Sequence, residues 1–552
     1  MISTPGPTKD ALAGHAAGPT AISTVDLLVV GGGINGTGIA RDAAGRGLSV
    51  VLCEKDDLAQ GTSSRSSRLI HGGLRYLEHG ELRMVRAALR ERETLLRIAP
   101  HLVQPLLLVL PHVPQMRPAW MLRLGLFLYD HLAQRERLPA SRAIWLDRVP
   151  EGNAVQPQIR RGFVYADCRT DDARLVVHNA LGARELGARI LTRHEVISAH
   201  CRGGFWQVQM RDQTSGANTL VAARALVNAA GPWVDALAGR LAAGPHAPTH
   251  APTRAPTPAP ALAQPNAQVP LPPASGRIRL IKGSHLVVRR FWSGDHGFLL
   301  QNTDRRVVFV TPYEPGYAMI GTTDVDYSGP PDAVVISEEE VSYLLQAVNR
   351  QLRCSLTSAD VVYSYAGVRA LVDDAQENPS AVTRDYVLDL ANARPSEGAE
   401  AAPLLSVLGG KLTTFRHLAE QVLDMLRPVF PKMGPAWTAH TALPGGDLQG
   451  VDAADAQAAL LAQAHFLPAE HVLGLFNRHG SRASGILGEA RDAAGLGQHF
   501  GGGLYEIEAR HFIAHEWALT AEDVLWRRTK FGLRLDTEQQ SQFALWMASA
   551  AG

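Results

Sequence analysis

Residues 26–55, DLLVVGGGINGTGIARDAAGRGLSVVLCEK, constrain the fold more than any other stretch. DLLVV is a short apolar run, GGGINGTG a glycine turn, IARDAAGRG a helical segment and LSVVLCEK a second apolar run. A strand, a helix and a strand in succession make a βαβ unit, which predicts a parallel sheet at the front of an α/β domain.

Gly31, Gly33 and Gly36 have G-x-G-x-x-G spacing right after the first strand, and Glu54 closes the second strand after a spacer of seventeen residues. Glycines permit a tight turn and close backbone approach to a pyrophosphate, while the helix N-terminus offers free N–H groups and a positive partial charge. An acid at this distance accepts hydrogen bonds from ribose hydroxyls and disfavours a phosphorylated ribose. The fingerprint alone leaves NAD and FAD open.

The next segment separates them. GTSSRSSRLIHGGLRYLEHG, Gly61–Gly80, follows at once and concentrates hydroxyls, Arg65, Arg68 and Arg75, and His71. Further βα units would be the usual continuation of an NAD domain. These groups instead suit a second polar ring system, the isoalloxazine and phosphates of a flavin.

A chain of 552 residues exceeds one hydrophobic core, so two or three domains are expected. Lys and Arg total 54 against 53 Asp and Glu, which argues against a nucleic-acid footprint spread over the surface. Cys53, Cys168, Cys201 and Cys354 are scattered without CxxC spacing; no disulfide framework and no metal site is expected, and a reducing cytoplasm fits. Residues 1–24 lack the basic start and apolar core of a secretory signal and read as a disordered leader. No run approaches the ~20 apolar residues of a spanning helix, so any membrane contact is peripheral.

Residues 244–276 repeat Ala-Pro and read as an extended, solvated insertion rather than an interdomain hinge. Strand-like alternation resumes after it. From Gly434 the pattern turns helical, which sets a separate helical domain at 434–552.

GGGINGTGIARDAAGRG, TSSRSSRLIHGGLRYLEHG, RPAWMLRLGLFLYDHL, RGFVYADCRTDDARLV, NAAGPWV, IRLIKGSHLVV, IGTTDVDY, YAGVRAL, TRDY, LLSVLGGKLTTFRHLAE and DVLWRRTKFGL run in order from about Val25 to Leu533. Together they resemble the FAD-dependent glycerol-3-phosphate dehydrogenases of respiratory bacteria. The leader and the Ala-Pro insertion depart from the family pattern and touch none of these blocks.

The resemblance implies an α/β fold: an FAD-binding Rossmann-like domain with an inserted mixed-sheet substrate domain, and a helical C-terminal domain. Within an oxidoreductase region at 25–433, FAD-binding parts are expected at about 25–95, 170–240 and 360–433, and substrate and membrane-facing parts at about 96–169 and 276–359. It also implies oxidation of sn-glycerol 3-phosphate to dihydroxyacetone phosphate, electrons passing from FAD to a membrane quinone, attachment to the inner face of the cytoplasmic membrane, and a homodimer.

Oxidising a secondary alcohol needs a base beside the hydride acceptor, and a phosphorylated substrate needs fixed cations. Arg75 and Arg369 are the candidates for the phosphate, because a guanidinium binds its oxygens in bidentate fashion. His71 and His285 compete for the base; His285 is favoured, with His71 as a flavin contact. The resemblance puts the flavin pyrimidine edge at GGKLTT, where Lys411 either stabilises its charge, with the amides opening the helix that follows, or touches substrate. Tyr76 joins Arg75 on the substrate side.

The expected cofactor contacts are Gly31, Gly33, Ile34, Asn35, Gly36, Glu54 and Lys55 in the fingerprint, and Thr62, Ser63, Ser64, Ser67, Leu69, His71, Gly72 and Gly73 after it. Asn228, Ala230, Gly231 and Trp233 add the adenine side, and Gly410, Lys411, Leu412 and Thr413 the flavin side.

RPAWMLRLGLFLYDHLAQRERLP sets Trp120, Leu124, Phe127, Leu128 and Leu132 near one helical face, with Arg117, Arg123, Arg135 and Arg137 along it or at its ends. That suits an interfacial helix drawn to anionic headgroups, although a stripe packed on the protein's own core has the same periodicity. Trp517, Trp526, Arg527, Arg528 and Lys530 are expected to serve packing, dimer contact or capping, and HFIAHEW is not the HExxH order of a zinc site. Three rivals are carried: a soluble oxidase passing electrons to oxygen, a flavin-binding regulator without turnover, and a nicotinamide dehydrogenase.

Overall fold

The first strand, β1 (Ser23–Val30), the helix α1 (Ile34–Gly45) and the second strand, β2 (Val50–Cys53), form the expected βαβ unit. The computed structural model describes residues 23–113, 117–243, 278–304, 306–373, 385–393 and 402–550. The leader therefore lies outside the described residues up to position 22, and the Ala-Pro insertion lies outside them entirely. β1 begins inside the segment assigned to the leader, because Ser23 and Thr24 already pair with Val221 and Ala222.

An eight-stranded sheet runs in the order Val387–Ala393, Ala402–Leu408, Asn218–Asn228, β1, β2, Arg189–Leu191, with the hairpin His194–Arg202 and Phe205–Asp212 on the third of these. β1 is parallel to both Asn218–Asn228 and β2, so Leu27, Leu28, Val29 and Val30 are buried on both faces and read as a continuous apolar run. All parallel strands end near the turn that follows β1, which makes that turn a crevice.

A second, ten-stranded sheet is antiparallel except where Gly297–Gln301 lies parallel to Val103–Pro111. Val361–Val372, which the sequence boundaries group with the FAD-binding part, belongs here. It pairs along Ile278–Arg289 for nearly its whole length, and that ladder outweighs its closeness in sequence to the strand Ala402–Leu408.

The helix Ala119–His131 lies on this second sheet. Leu122, Leu126 and Tyr129 pack with Leu106, Leu108, Phe163 and Tyr165. From residue 453 the chain forms the helices Ala453–Gln463, Ala469–His479, Ala483–Leu487, Glu506–Glu516 and Thr537–Ala550 with one short two-stranded ribbon. Among the described residues no helix is long and apolar enough to cross a membrane.

Candidate functional site

A cavity of about 1560 Å³, lined from both sheets, starts at the turn after β1. Ordinary ligand sites occupy ~300–1,000 Å³, so this one has room for a dinucleotide and a second small molecule.

At its nucleotide end the glycines have separate jobs. Gly31 has φ +117°, and a Cβ there would stand 2.4 Å from the Ala229 carbonyl oxygen. A Cβ on Gly36 would stand 1.9 Å from the Gly31 oxygen. These two let α1 sit against β1. Gly33 caps α1 without a side-chain bond, and the Ile34 N–H donates to Ser63 Oγ at 3.0 Å. Glu54 accepts from the N–H groups of Gly32 at 2.6 Å and Asp56 at 2.9 Å. Burial raises the pKa of Glu54 and the two amides oppose that rise. A carboxylate has about four acceptor positions, so Glu54 keeps capacity for ribose hydroxyls.

The far side is built on glycines too. Gly409 and Gly410 have φ +83° and +103°, and a Cβ on Gly410 would meet the Asn35 amide at 2.5 Å. Asn35 Nδ2 donates to the Gly409 oxygen at 3.2 Å, while Asn35 Oδ1 is buried without a partner. The N-terminal ends of α1 and of the helix Phe415–Leu426 thus face one space, with an unused acceptor between them. Thr413 Oγ1 accepts from the His71 N–H at 3.3 Å, and the His71 ring lies 6.3 Å from Phe309. Lys411 Nζ is 3.0 Å from Met84 Sδ and 4.4 Å from the Tyr76 ring centre.

His285 is 2% exposed. Its Nε2 is 2.8 Å from Ser67 Oγ, and its ring stacks on Tyr365 at 4.8 Å. Burial, helped by the charge of Arg369, lowers the His285 pKa to about 3, which favours the neutral ring. Arg369 pairs with Asp324 and donates to Thr322 Oγ1 at 3.1 Å; a side chain at Gly283 would collide with it. The pairing fixes the guanidinium fork, and its remaining N–H groups can meet a phosphate.

Most of the residues expected from sequence line this cavity: Gly31, Gly33, Ile34, Asn35, Glu54, Lys55, Thr62, Ser63, Ser67, Leu69, His71, Gly73, Tyr76, Ala230, Gly231, Trp233, His285, Arg369, Gly410, Lys411, Leu412 and Thr413. The side chain of Arg75 lies outside what is described. Four do not line it. Asn228 is fully buried and shapes its own turn, donating to the Val234 oxygen at 2.8 Å and accepting from the Ala230 N–H. Gly36 is consumed by helix packing, Gly72 packs under Leu89 and Tyr129, and Ser64 turns back to the Gly61 oxygen. Thr62, though on the wall, bonds the Val368 oxygen at 2.6 Å, and Ser67 bonds His285 rather than standing free for cofactor oxygens.

Sequence reasoning missed Asp324 and Thr322. Both lie in the IGTTDVDY block, directly after a strand, where a carboxylate was the available signal. It also missed the cavity's mouth: Met121, Leu124, Gly125 and Leu128 of the helix Ala119–His131 line it. That helix has two apolar faces, one packed on the sheet and the other exposed, with Trp120 67% and Phe127 47% accessible. Leu132 is half-buried, Arg117 is tied to Glu78, Arg123 to Ser141 Oγ and Arg135 to the Asp130 oxygen, while Arg137 is exposed.

The C-terminal residues serve packing. Arg527 and Arg528 are buried around Asp57, Lys530 is buried 3.6 Å from Asp171, and Trp526 stacks on Tyr363 at 4.3 Å. His479, His511 and Glu516 bring ligand-type atoms within 4.8 Å of one another. Arg174 occupies Glu516 and reaches within 3.5 Å of His479 Nδ1, so a guanidinium already supplies the positive charge there.

A family model described as FAD dependent oxidoreductase matches residues 26–388, and one described as the C-terminal domain of alpha-glycerophosphate oxidase matches 436–545. The glycerol-3-phosphate dehydrogenase of Pseudomonas aeruginosa is 49% identical, covering 97% of both chains. The aerobic glycerol-3-phosphate dehydrogenase of Escherichia coli is 46% identical over 95% of this chain and 98% of its own. The D-erythritol 1-phosphate dehydrogenase of Brucella abortus is 48% identical over 96% and 98%. Among solved structures, the glycerol-3-phosphate dehydrogenase of Bacillus halodurans complexed with FAD superposes with a TM-score of 0.69 at 26% identity, covering 96% and 91%.

Proposed function

The chain belongs to the family of FAD-dependent glycerol-3-phosphate dehydrogenases, and from that membership we propose that it oxidises sn-glycerol 3-phosphate to dihydroxyacetone phosphate and passes the electrons to a membrane quinone. The observation that carries this reading is one cavity joining a dinucleotide turn to the cluster of Ser67, His285, Thr322, Asp324 and Arg369.

The residues fit FAD. The α1 N-terminus with Ser63 offers donors to the pyrophosphate, Glu54 offers acceptors to the ribose, and the unpartnered Asn35 Oδ1 and the amides around Gly410 face the ring end. Bound FAD supplies the acceptor for a hydride from the carbinol carbon. The chain's own residues do the rest. Arg369, held by Asp324, binds the substrate phosphate, and Arg75 and Tyr76 serve the same side. His285 is the base toward which the hydroxyl proton moves. Lys411 and the helix opening at Phe415 stabilise negative charge that develops beside them.

The exposed apolar face with Trp120, Met121, Leu124, Phe127 and Leu128 supports peripheral attachment to a membrane, and the family reading puts the protein on its cytoplasmic side. Met121, Leu124 and Leu128 of that face also line the cavity, which supports a route for a lipophilic quinone from the bilayer without a spanning helix.

Anaerobic mixing of the holoenzyme with glycerol 3-phosphate tests the reading. Bleaching of the flavin band that fails with unphosphorylated glycerol supports it; a flavin that stays oxidised overturns the substrate and leaves the regulator reading. The Brucella relative favours a second reading, a four-carbon polyol phosphate. Faster bleaching by D-erythritol 1-phosphate would establish that one instead. Rapid reoxidation by oxygen without need of quinone would favour the soluble oxidase.

A further inference from the structure

His285 belongs to the cavity wall but is only 2% exposed, so its ring offers little surface to a ligand. Nδ1 is buried with no partner, and Nε2 is taken up by Ser67 Oγ at 2.8 Å. The ring is clamped between Tyr365, stacked at 4.8 Å, and Gly321, where even a Cβ would come within 2.2 Å of it. It cannot swing out to meet a substrate without unpacking that sandwich.

Ser67 lines the cavity too, and its backbone is held from both sides. Before it, Ser66 gives its N–H and its hydroxyl to Asp172, at 3.1 and 2.7 Å, and its carbonyl accepts from Tyr365 at 2.9 Å. After it, Arg68 stands in the left-handed region, φ +53°, with its N–H on Ser66 Oγ and its guanidinium on Asp171 and Glu314. A hydroxyl fixed this firmly, between a buried imidazole and open space, is preorganised for proton transfer.

We propose that Ser67 is the group that meets the substrate hydroxyl, and that His285 acts through it as the terminal proton acceptor. This rests on the oxidoreductase reading above. As the C–H electron pair leaves with the hydride to FAD, the alcohol proton passes to Ser67 Oγ and the Ser67 proton passes to His285 Nε2. The carbonyl forms, two electrons reside on the flavin, and one proton resides on the imidazole. For Nε2 to accept, the ring's resting proton sits on Nδ1.

The test is the rate of anaerobic flavin reduction by glycerol 3-phosphate as a function of pH, in holoenzyme whose FAD content is measured first. Ser67→Ala is expected to keep FAD and substrate affinity but to slow reduction by about 10²–10⁴-fold, the usual worth of a positioned acid–base group. Its rate should also rise about tenfold per pH unit, because the proton must now leave to hydroxide. Ser67→Thr, which keeps the hydroxyl, should restore most of the rate, and His285→Gln should show the same steep pH dependence as Ser67→Ala. A Ser67→Ala enzyme within twofold of wild type, or one slowed with an unchanged pH profile, overturns the proposal, as does a His285→Gln enzyme with the wild-type profile. A wild-type flavin that no polyol phosphate reduces overturns the oxidoreductase reading itself, and this proposal with it.

Discussion

Asp57 and Arg528 stand 471 residues apart and form a two-point ion pair, Nη1 to Oδ2 at 2.6 Å and Nη2 to Oδ1 at 2.8 Å. Neither side chain is more than 1% exposed. Arg527 adds a contact to the same carboxylate at 2.6 Å and Arg193 another at 3.4 Å. Asp57 follows Glu54 by three residues, so the C-terminal segment braces the loop that offers ribose its acceptors. Asp57→Ala leaves Arg528 without its carboxylate, while Asp523 still pairs with Arg527 and Arg193, and breaking such a buried pair costs about 3–5 kcal/mol. The expected result is a lower Tm and faster FAD release, read by flavin fluorescence during thermal unfolding.

Gly36→Ala is expected to yield protein without flavin. The added Cβ would lie 1.9 Å from the Gly31 oxygen, a backbone atom that can move only by lifting α1 from β1. Gly33→Ala meets only Ser63 Oγ, at 3.1 Å, and should weaken FAD binding less. The ratio of flavin to protein absorbance after purification separates the two.

Arg369→Lys should raise KM about 10–100-fold, since a charge-assisted hydrogen bond is worth about 1.5–3 kcal/mol and lysine cannot hold Asp324, Thr322 and phosphate at once. Steady-state kinetics with an artificial dye acceptor measure this. An unchanged KM would remove Arg369 from the phosphate site.

Acid should destabilise the fold through buried histidines. Burial lowers His285 and His178 to about 3 and His479 to about 4, with Arg369 adding to the first, Arg174 to the second, and Glu508 opposing for the third. Each folded value is below the unfolded value of about 6.5, so between these limits the unfolded chain binds protons that the folded chain does not. The stability is complete above about pH 6.5 and is lost as pH falls toward the folded values, by up to about 1.4 kcal/mol per pH unit for each ring. His178→Gln should flatten the dependence of Tm on pH across that window.

Trp120→Glu with Phe127→Glu should abolish co-sedimentation with anionic vesicles. Both residues lie on the exposed face of Ala119–His131 and neither lines the cavity, so flavin reduction by substrate should be unchanged. Binding that persists would move the membrane contact elsewhere.

Much of the site was readable from sequence because its parts are local. A glycine turn between a strand and a helix presents free amides wherever the chain places it, and GGKLTT before a helix repeats the same physics. Asn228 misled because an Asn at a strand end has two uses; here its amide closes its own turn. The expected FAD-binding part from about residue 360 carried no information on which sheet its first strand joins. The ladder between Ile278–Arg289 and Val361–Val372 decides that.

By itself, then, the sequence determined the βαβ unit, the acid that follows it, the helix openings and the family, since each depends on residues within a turn or two of one another. Only the tertiary structure decided that Ser67 stands on the Nε2 of His285, that Asp324 holds Arg369, and that the last fifty residues brace the loop behind Glu54. Those contacts join segments tens to hundreds of residues apart, and no periodicity or spacing carries them; they exist because burial leaves a charge or a ring nitrogen no partner except the one that packing delivers.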